Sequence, residues 1–280
     1  MPENLRVLKG RIRTAKNIAQ LAKTLEMVSV SKIRRARGLA ETVRPYAERI
    51  TALTGVALGS LDPEQRAHPY LKPAAGRRIL LAIGPDKGLC GPLLGNLVRR
   101  LAESLDENTL LITVGRRMER PGARLAGDRL IASFPMGARL PGYSLVFDVV
   151  RVINEQILGG RAAALDVLYG RFLSYFTQAP VVDRVLPLAD IGTAAPVATV
   201  FEPGGAELLE ALLPHFLEVR LFDAVVQAFS AEHAARMVAM QNAKSNALEI
   251  ADTFTLLYNK TRQERITSEI LDLGNKGKAS

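Results

Sequence analysis

Residues 215–273 contain neither glycine nor proline, and this run limits the fold more than any other feature of the chain. Without a helix breaker, at 1.5 Å per residue, it reads as one helix roughly 85–90 Å long. Few single domains have room to cover such an element. Gly274 supplies the stop signal. Val225, Phe229, Met237, Met240, Ala247, Ile250, Phe254, Leu257 and Tyr258 keep the spacing of an amphipathic face.

The opposite end has the same character. No glycine or proline stands between Gly10 and Gly38, and Leu5, Leu8, Ile12, Ala15, Ala19, Ala22 and Leu25 recur alternately three and four apart. That spacing is a coiled-coil seam. It continues less regularly through Val28, Ile33, Ala36, Leu39, Val43, Ala47, Ile50 and Leu53. The pattern predicts a helix over 3–58, kinked at Pro45, where a backbone donor is lost and the preceding turn is crowded. Two helices of this length at opposite ends of one chain are expected to pack as an antiparallel pair, their close approach permitted by the alanines.

The middle of the sequence reads differently. Residues 77–84, 109–115, 129–134, 163–169 and 181–188 are short apolar runs that predict strands, with helical patterns over 93–105 and 143–158. Buried strands alternating with helices imply a small α/β sheet. The fold class expected is therefore α/β, with a long antiparallel coiled coil of terminal helices and a Rossmann-like α/β domain inserted between them. The boundaries are a first helix over 1–60, a linker over 61–76 containing Pro63, Pro69 and Pro73, a central domain over 77–202, and a last helix over 203–280. A second linker is expected over 192–205.

Charge is concentrated in one element. Of the net charge of +9, residues 1–58 hold +8, from 12 Lys/Arg against 4 Asp/Glu. Such a block suits an acidic partner, whether a nucleic acid, a lipid surface or a carboxylate-rich protein; a plain solvated helix face is the other reading. No run approaches the ~18 apolar residues of a membrane span. A single cysteine, Cys90, excludes an intrachain disulfide framework and a multi-cysteine zinc site.

Chemistry is hard to find. The first predicted strand runs into Gly84-Pro85-Asp86-Lys87-Gly88-Leu89-Cys90-Gly91, a place where α/β folds often hold a phosphate. A Walker A loop ends with its lysine followed by Ser/Thr, whereas Lys87 sits inside the loop before Gly88, and the glycines do not give G-x-G-x-x-G. Asp86, Gly88, Cys90 and Gly91 therefore read as a structural turn. His68, His215 and His233 are too scattered to serve Cys90 as a base or to form a metal site. No catalytic, cofactor-binding or metal-binding residues are expected.

Asn17 to Arg37 (NIAQLAKTLEMVSVSKIRRAR) followed by Arg44-Pro45-Tyr46, Asp86 to Gly91 (DKGLCG), Arg236 to Asn246 (RMVAMQNAKSN) and Leu257 to Leu271 (LYNKTRQERITSEIL) together resemble the gamma subunits of F-type ATP synthases. The resemblance implies a rotary shaft made of the two terminal helices, inside a head of alternating alpha and beta subunits. The α/β insert would lie near the epsilon subunit and the membrane rotor ring of c subunits. It implies a non-catalytic subunit that couples ion flow to ATP synthesis or hydrolysis, peripheral on the cytoplasmic face of a bacterial inner membrane, without membrane insertion, cofactor or nucleic acid. Lys23, Met27, Ser31 and Lys32 match the family's first-helix block, within which Leu25 also lies, and Arg262, Gln263, Ile266, Thr267 and Glu269 match its last-helix block. Those positions are expected to contact the head. Leu25 stands where the family usually has Met, Ser29 and Val30 replace small alanines, Thr261 replaces Ala, and Pro92-Leu93-Leu94 departs from the usual Gly-Leu-Asn. A basic coiled-coil nucleic-acid binder is the alternative reading, and a small enzyme using the 86–91 turn as a phosphate cradle is a third.

Overall fold

The computed structural model describes residues 5–60, 68–71, 76–137, 139–188 and 205–276. The chain divides into two compact units, one formed by Met1–Val28 with Met237–Ser280 and the other by Ser29–Arg236. The linkers expected over 61–76 and 192–205 lie outside the described residues except for 68–71, 76 and 205.

Two helices run through both units: α1, Leu5–Gly59, and α5, Gly205–Lys276. Between them the order is β1 (Arg77–Ile83), α2 (Leu93–Ser104), β2 (Thr109–Val114), α3 (Arg116–Ala126), β3 (Leu130–Phe134), α4 (Tyr143–Ile157), β4 (Ala162–Phe172) and β5 (Gln178–Leu186). The sheet order is β3-β2-β1-β4-β5. The first four strands are parallel, with Leu80 opposite Leu111 and Asp166, and β5 returns antiparallel to β4. Burial on both faces explains why β1 after its two arginines is apolar throughout and why β2 is apolar but for the buried Thr109 and Thr113.

Alternate strand residues serve two cores. Ile79, Leu81, Ile83, Ile112 and Val167 pack with α4 residues such as Val149 and Ile153, and with Leu213, Leu217, Val225 and Phe229 of α5. Leu80, Ala82, Leu111 and Leu168 face Leu97 and Leu101 of α2 and Met118 of α3. At the amino ends of the strands, buried Asp166 is neutralised by Arg78, at 3.1 Å, and by Arg184.

In the other unit α1 and α5 pair in opposite directions. Arg11 lies over the Phe254 ring at 5.4 Å, and Lys244 reaches Glu26 at 3.5 Å. Most of the buried residues here are small, Ala15, Ala19 and Ala22 from α1 and Ala247 and Ala251 from α5, with Leu8, Met237 and Met240 as the large ones.

The structure shifts several sequence expectations. The protected face of α1 follows Leu8, Ile12, Ala15, Ala19, Ala22, Glu26, Ser29, Ile33, Ala36, Ala40, Val43, Ala47, Ile50, Thr54 and Ala57. Leu25 and Val28 are exposed and Leu53 with them; Glu26, Ser29 and Thr54 hold the heptad positions those residues were expected to fill. Polar identities hid an unbroken 3-4 repeat. Thr54 is tolerated because its hydroxyl donates to the Ile50 carbonyl at 2.7 Å. On α5, Ala251 rather than Ile250 faces inward. This helix begins at Gly205, passes through Pro214 and ends at Lys276, two residues beyond the expected stop, a discrepancy ordinary for helix ends. α1 is helical without interruption through Pro45.

Helix α3 was not expected at all. Its sequence, RRMERPGARLA, has an internal proline and little apolar content. Only Met118, Gly122 and Ala126, spaced by four, face the sheet. A Cβ on Gly122 would stand 2.8 Å from Thr113 Cγ2, so glycine permits the close helix–strand approach.

Candidate functional site

The carboxyl ends of the parallel strands carry the loops where doubly wound folds hold ligands, at the point where strand order reverses. Here that point lies between β1 and β4. The turn after β1, residues 84–91, stands on one side of it. Gly170 of β4 stands on the other, so close to α5 that a Cβ there would lie 3.3 Å from that of Ala231.

The turn is tied down from three directions. The Asp86 carboxylate accepts the N–H of Arg116 at 3.2 Å, satisfying the exposed start of α3, and that of Met136, after β3, at 3.0 Å. The Asp86 N–H donates in turn to the Glu232 carboxylate of α5 at 3.0 Å. Arg236, one turn along α5 from Glu232, completes the attachment. Its Nε donates to the Gly88 carbonyl at 3.1 Å, and its Nη2 donates to the Lys87 carbonyl at 3.1 Å and to Glu232 at 2.5 Å. Its Nη1 donates to Nδ1 of His233 at 3.0 Å. Glu232, His233 and Arg236 are all buried.

These contacts fix one protonation state. Guanidinium only donates, so Nδ1 of His233 must carry a lone pair, and the imidazole is neutral with its proton on Nε2. Burial pushes the His233 pKa down to about 3, helped by the positive charges of Arg236, Lys32 and Lys87. Burial also lowers the Lys32 pKa, with Lys87 and Arg236 adding repulsion. The Glu232 carboxylate supplies the only negative charge among these facing groups, and it lies where a phosphate-binding fold would place its anion. The crevice is thus filled by a helix of the same chain.

Within the turn, Leu89 adopts φ 63° and Gly91 φ 54°. A left-handed leucine costs roughly 1–2 kcal/mol, and this one is 64% exposed. The turn is held by backbone carbonyls accepting from Arg236, which is why a strained residue persists. Cys90 is buried, and burial raises its pKa, which removes thiolate character. Among the described residues no group of three or more His, Cys, Asp or Glu could hold a metal ion.

The positions expected to contact partners do not form one constellation. Lys23, Leu25 and Met27 are exposed on α1 in the helical unit; Ser31 is exposed on α1 in the α/β unit, where Lys32 is half-buried with its ammonium 6.0 Å from the centre of the Phe229 ring. Arg262, Gln263, Ile266, Thr267 and Glu269 are exposed on the last turns of α5. There Glu269 pairs with Arg265 at 2.9 Å, and the Thr267 hydroxyl donates to the Gln263 carbonyl at 3.0 Å. The turn residues Asp86 and Gly88, by contrast, meet α5 directly. Sequence reasoning missed Glu232, weighed His233 only as a base for Cys90 or a metal ligand and set it aside, and placed Arg236 only in a block. Their signal was two opposite charges four apart inside AFSAEHAARMVAM, an otherwise apolar stretch.

An α/β sheet whose ligand crevice is closed by its own C-terminal helix, with a helical pair that turns large apolar side chains outward, defines a long-helix scaffold built around an α/β insert. A family model described as ATP synthase matches residues 4–275. ATP synthase gamma chains of Dehalococcoides mccartyi and Roseiflexus castenholzii are each 34% identical over 96% of this chain and 96% of theirs. That of Chloroflexus aurantiacus is 32% identical over 98% of both. The fold is similar to a chain of the Euglena gracilis mitochondrial ATP synthase, with a TM-score of 0.71 and 19% identity, covering 98% of this chain and 94% of that one. It is also similar to a chain of the Tetrahymena thermophila mitochondrial ATP synthase, from its central stalk and c-ring, with a TM-score of 0.62 and 19% identity, covering 80% and 99% respectively. The chain belongs to the gamma-chain family of ATP synthases. That membership displaces the nucleic-acid reading of the basic first helix.

Proposed function

We propose that this chain is the central-stalk rotor subunit of an F-type ATP synthase, coupling ion flow through a membrane rotor to ATP synthesis or hydrolysis in an alpha/beta head. The full-length match to gamma chains carries this reading. The helical unit supports it physically. Leu21, Met27, Leu256 and Leu271 are each more than 60% exposed there, and an outward apolar surface of this kind is suited to a surrounding protein sleeve.

Residues 1–60 and 203–280 form the shaft in this proposal, and residues 77–202 form the insert that faces the c-ring and an epsilon subunit. Lys23, Leu25, Met27 and Lys32, together with Arg262, Gln263, Ile266, Thr267 and Glu269, contact the head. Asp86, Gly88, Cys90 and Gly91 are structural. An asymmetric shaft makes different contacts with three otherwise equivalent catalytic sites, and these differences in contact energy bias the sites toward different conformations. The chain transmits torque and performs no bond chemistry itself. No helix among the described residues is long and apolar enough to cross a membrane; the proposed location is peripheral, on the cytoplasmic face of a bacterial inner membrane.

The test is gentle purification from native membranes through a tag on the insert, with Mg-ATP hydrolysis assayed beside the chain expressed alone. Activity that co-elutes with two larger subunits, and is absent from the lone chain, is expected. Hydrolysis by the lone chain, or an inactive eluate rich in nucleic acid, would overturn the reading.

A further inference from the structure

The grip of α5 on the β1 turn centres on Arg236. Arg236 is the last residue of the α/β unit, so the helix makes these bonds on its final turn within that unit. One guanidinium serves four acceptors: two turn carbonyls, Glu232 and His233. Planar geometry lets Arg do this, whereas an ammonium acts as a point donor.

We infer that His233 is a positioning residue: its neutral Nδ1 fixes the plane of Arg236, so that the guanidinium locks the Lys87–Gly88 backbone to α5 and passes torque between the insert and the shaft helix. The inference rests on the rotor function proposed above. Three observations support it. Among the described residues Nη1 meets His233 alone, so that bond orients the guanidinium; His233 is itself held by Phe229, whose ring meets it edge-on at 4.5 Å between centroids; and the turn carries a strained Leu89 beside the two gripped carbonyls. The charged and titratable groups around the imidazole are Arg236 and Glu232 from α5, Lys32 from α1, and Lys87 from the turn. Arg236, Lys32 and Lys87 place three cations close together around the Glu232 carboxylate, so a second proton on the imidazole has no acceptor at Nδ1 and would expel the Arg236 donor.

The variants His233→Gln, His233→Leu and Arg236→Lys separate positioning from packing. A glutamine amide oxygen can still accept from Arg236; leucine fills similar space and cannot. Each variant is assembled into the whole complex in native membrane vesicles, and ATP hydrolysis is read beside ATP-driven ion pumping. Hydrogen exchange of the 86–91 amides is followed in the same complexes. Hydrolysis is expected to stay within about twofold throughout, while ions pumped per ATP fall about threefold or more in His233→Leu and Arg236→Lys. His233→Gln should restore pumping and slow exchange in the turn. Equal pumping by all three variants overturns the inference, as does loss in Gln and Leu alike. Unmodified vesicles in which hydrolysis drives no pumping would instead strike the rotor reading, so the two failures are told apart.

Discussion

Leu80 and Leu21 are both leucines in regular structure, yet Leu80 is fully buried and Leu21 is 65% exposed. They typify the two units. In Ser29–Arg236 the large side chains of the central strands point into cores between sheet and helices, and the buried Asp166, Glu232 and Arg236 are paired. In the helical unit the inner face is mostly alanine, with Leu8, Met237 and Met240 the large buried exceptions, while Leu21, Met27, Leu256 and Leu271 face out. Area removed from water contributes about 25 cal/mol per Å², so alanine seams add little stability for their length. The α/β unit is stabilised from within, whereas the helical pair leaves its largest apolar groups for something outside the chain.

The largest effect is expected where the α/β unit has no freedom to yield. Gly115, at the start of α3, has φ 99°, and a Cβ there would lie 2.1 Å from the Gly84 carbonyl oxygen. Neither backbone can retreat, because Gly115 N–H also donates to Phe134 O at 2.8 Å and Gly84 N–H to Val114 O at 2.8 Å. Gly115→Ala should cost roughly 3 kcal/mol or more, read as a fall in the denaturant midpoint of the α/β unit. A loss under 1 kcal/mol would mean that this end of the sheet is as adaptable as the helical pair.

Next comes acid sensitivity. The unfolded chain takes up a proton on His233 near pH 6.5, while the folded chain refuses it until about 3. Stability contributed by the neutral imidazole is therefore complete above about 6.5 and declines as pH falls toward 3, by about 1.4 kcal/mol per pH unit within that window. His233→Gln should flatten this part of the profile. Chemical denaturation of both proteins from pH 7 to 5 measures the difference, and parallel profiles would show that the site relaxes to admit the proton.

A smaller change is expected at Leu89. Relief of left-handed strain by Leu89→Gly should stabilise the chain by up to about 1 kcal/mol, partly offset by the greater freedom of glycine when unfolded. Thermal unfolding reads it. Destabilisation would show that the exposed leucine side chain holds the turn, rather than Arg236 doing so.

How far the sequence foretold this molecule follows from the same contrast. The strands and the two long helices were legible because apolar runs and the absence of Gly and Pro act locally. The α1 register was misread at Leu25 and Val28 because Glu26 and Ser29 occupy heptad positions that apolar counting cannot see. α3 was invisible because one methionine, one alanine and a glycine suffice for its buried face. The α5 grip on the β1 turn joins residues about 146 positions apart, and no local pattern reports a contact of that range. What the sequence did carry was the paired Glu232 and Arg236 in an apolar stretch, a sign of buried charge that periodicity alone passes over.

The smallest stability effect is expected at the far end of the helical pair, where every residue from Arg262 to Leu271 is exposed. Arg262→Ala and Gln263→Ala remove no packed atoms there. Gln263 contributes only its carbonyl, to Thr267, and that bond survives alanine. Each substitution should shift stability by less than about 0.5 kcal/mol, seen as an unchanged thermal midpoint of the isolated chain. Coupled ATP synthesis in membranes should nevertheless fall in both, because these side chains are offered to the head rather than to the chain. A destabilisation above 1 kcal/mol would place them among the structural residues, and unchanged synthesis would remove them from the contact surface. Either result would leave the outward leucines, and not the polar side chains between them, as what distinguishes the helical unit from the α/β unit.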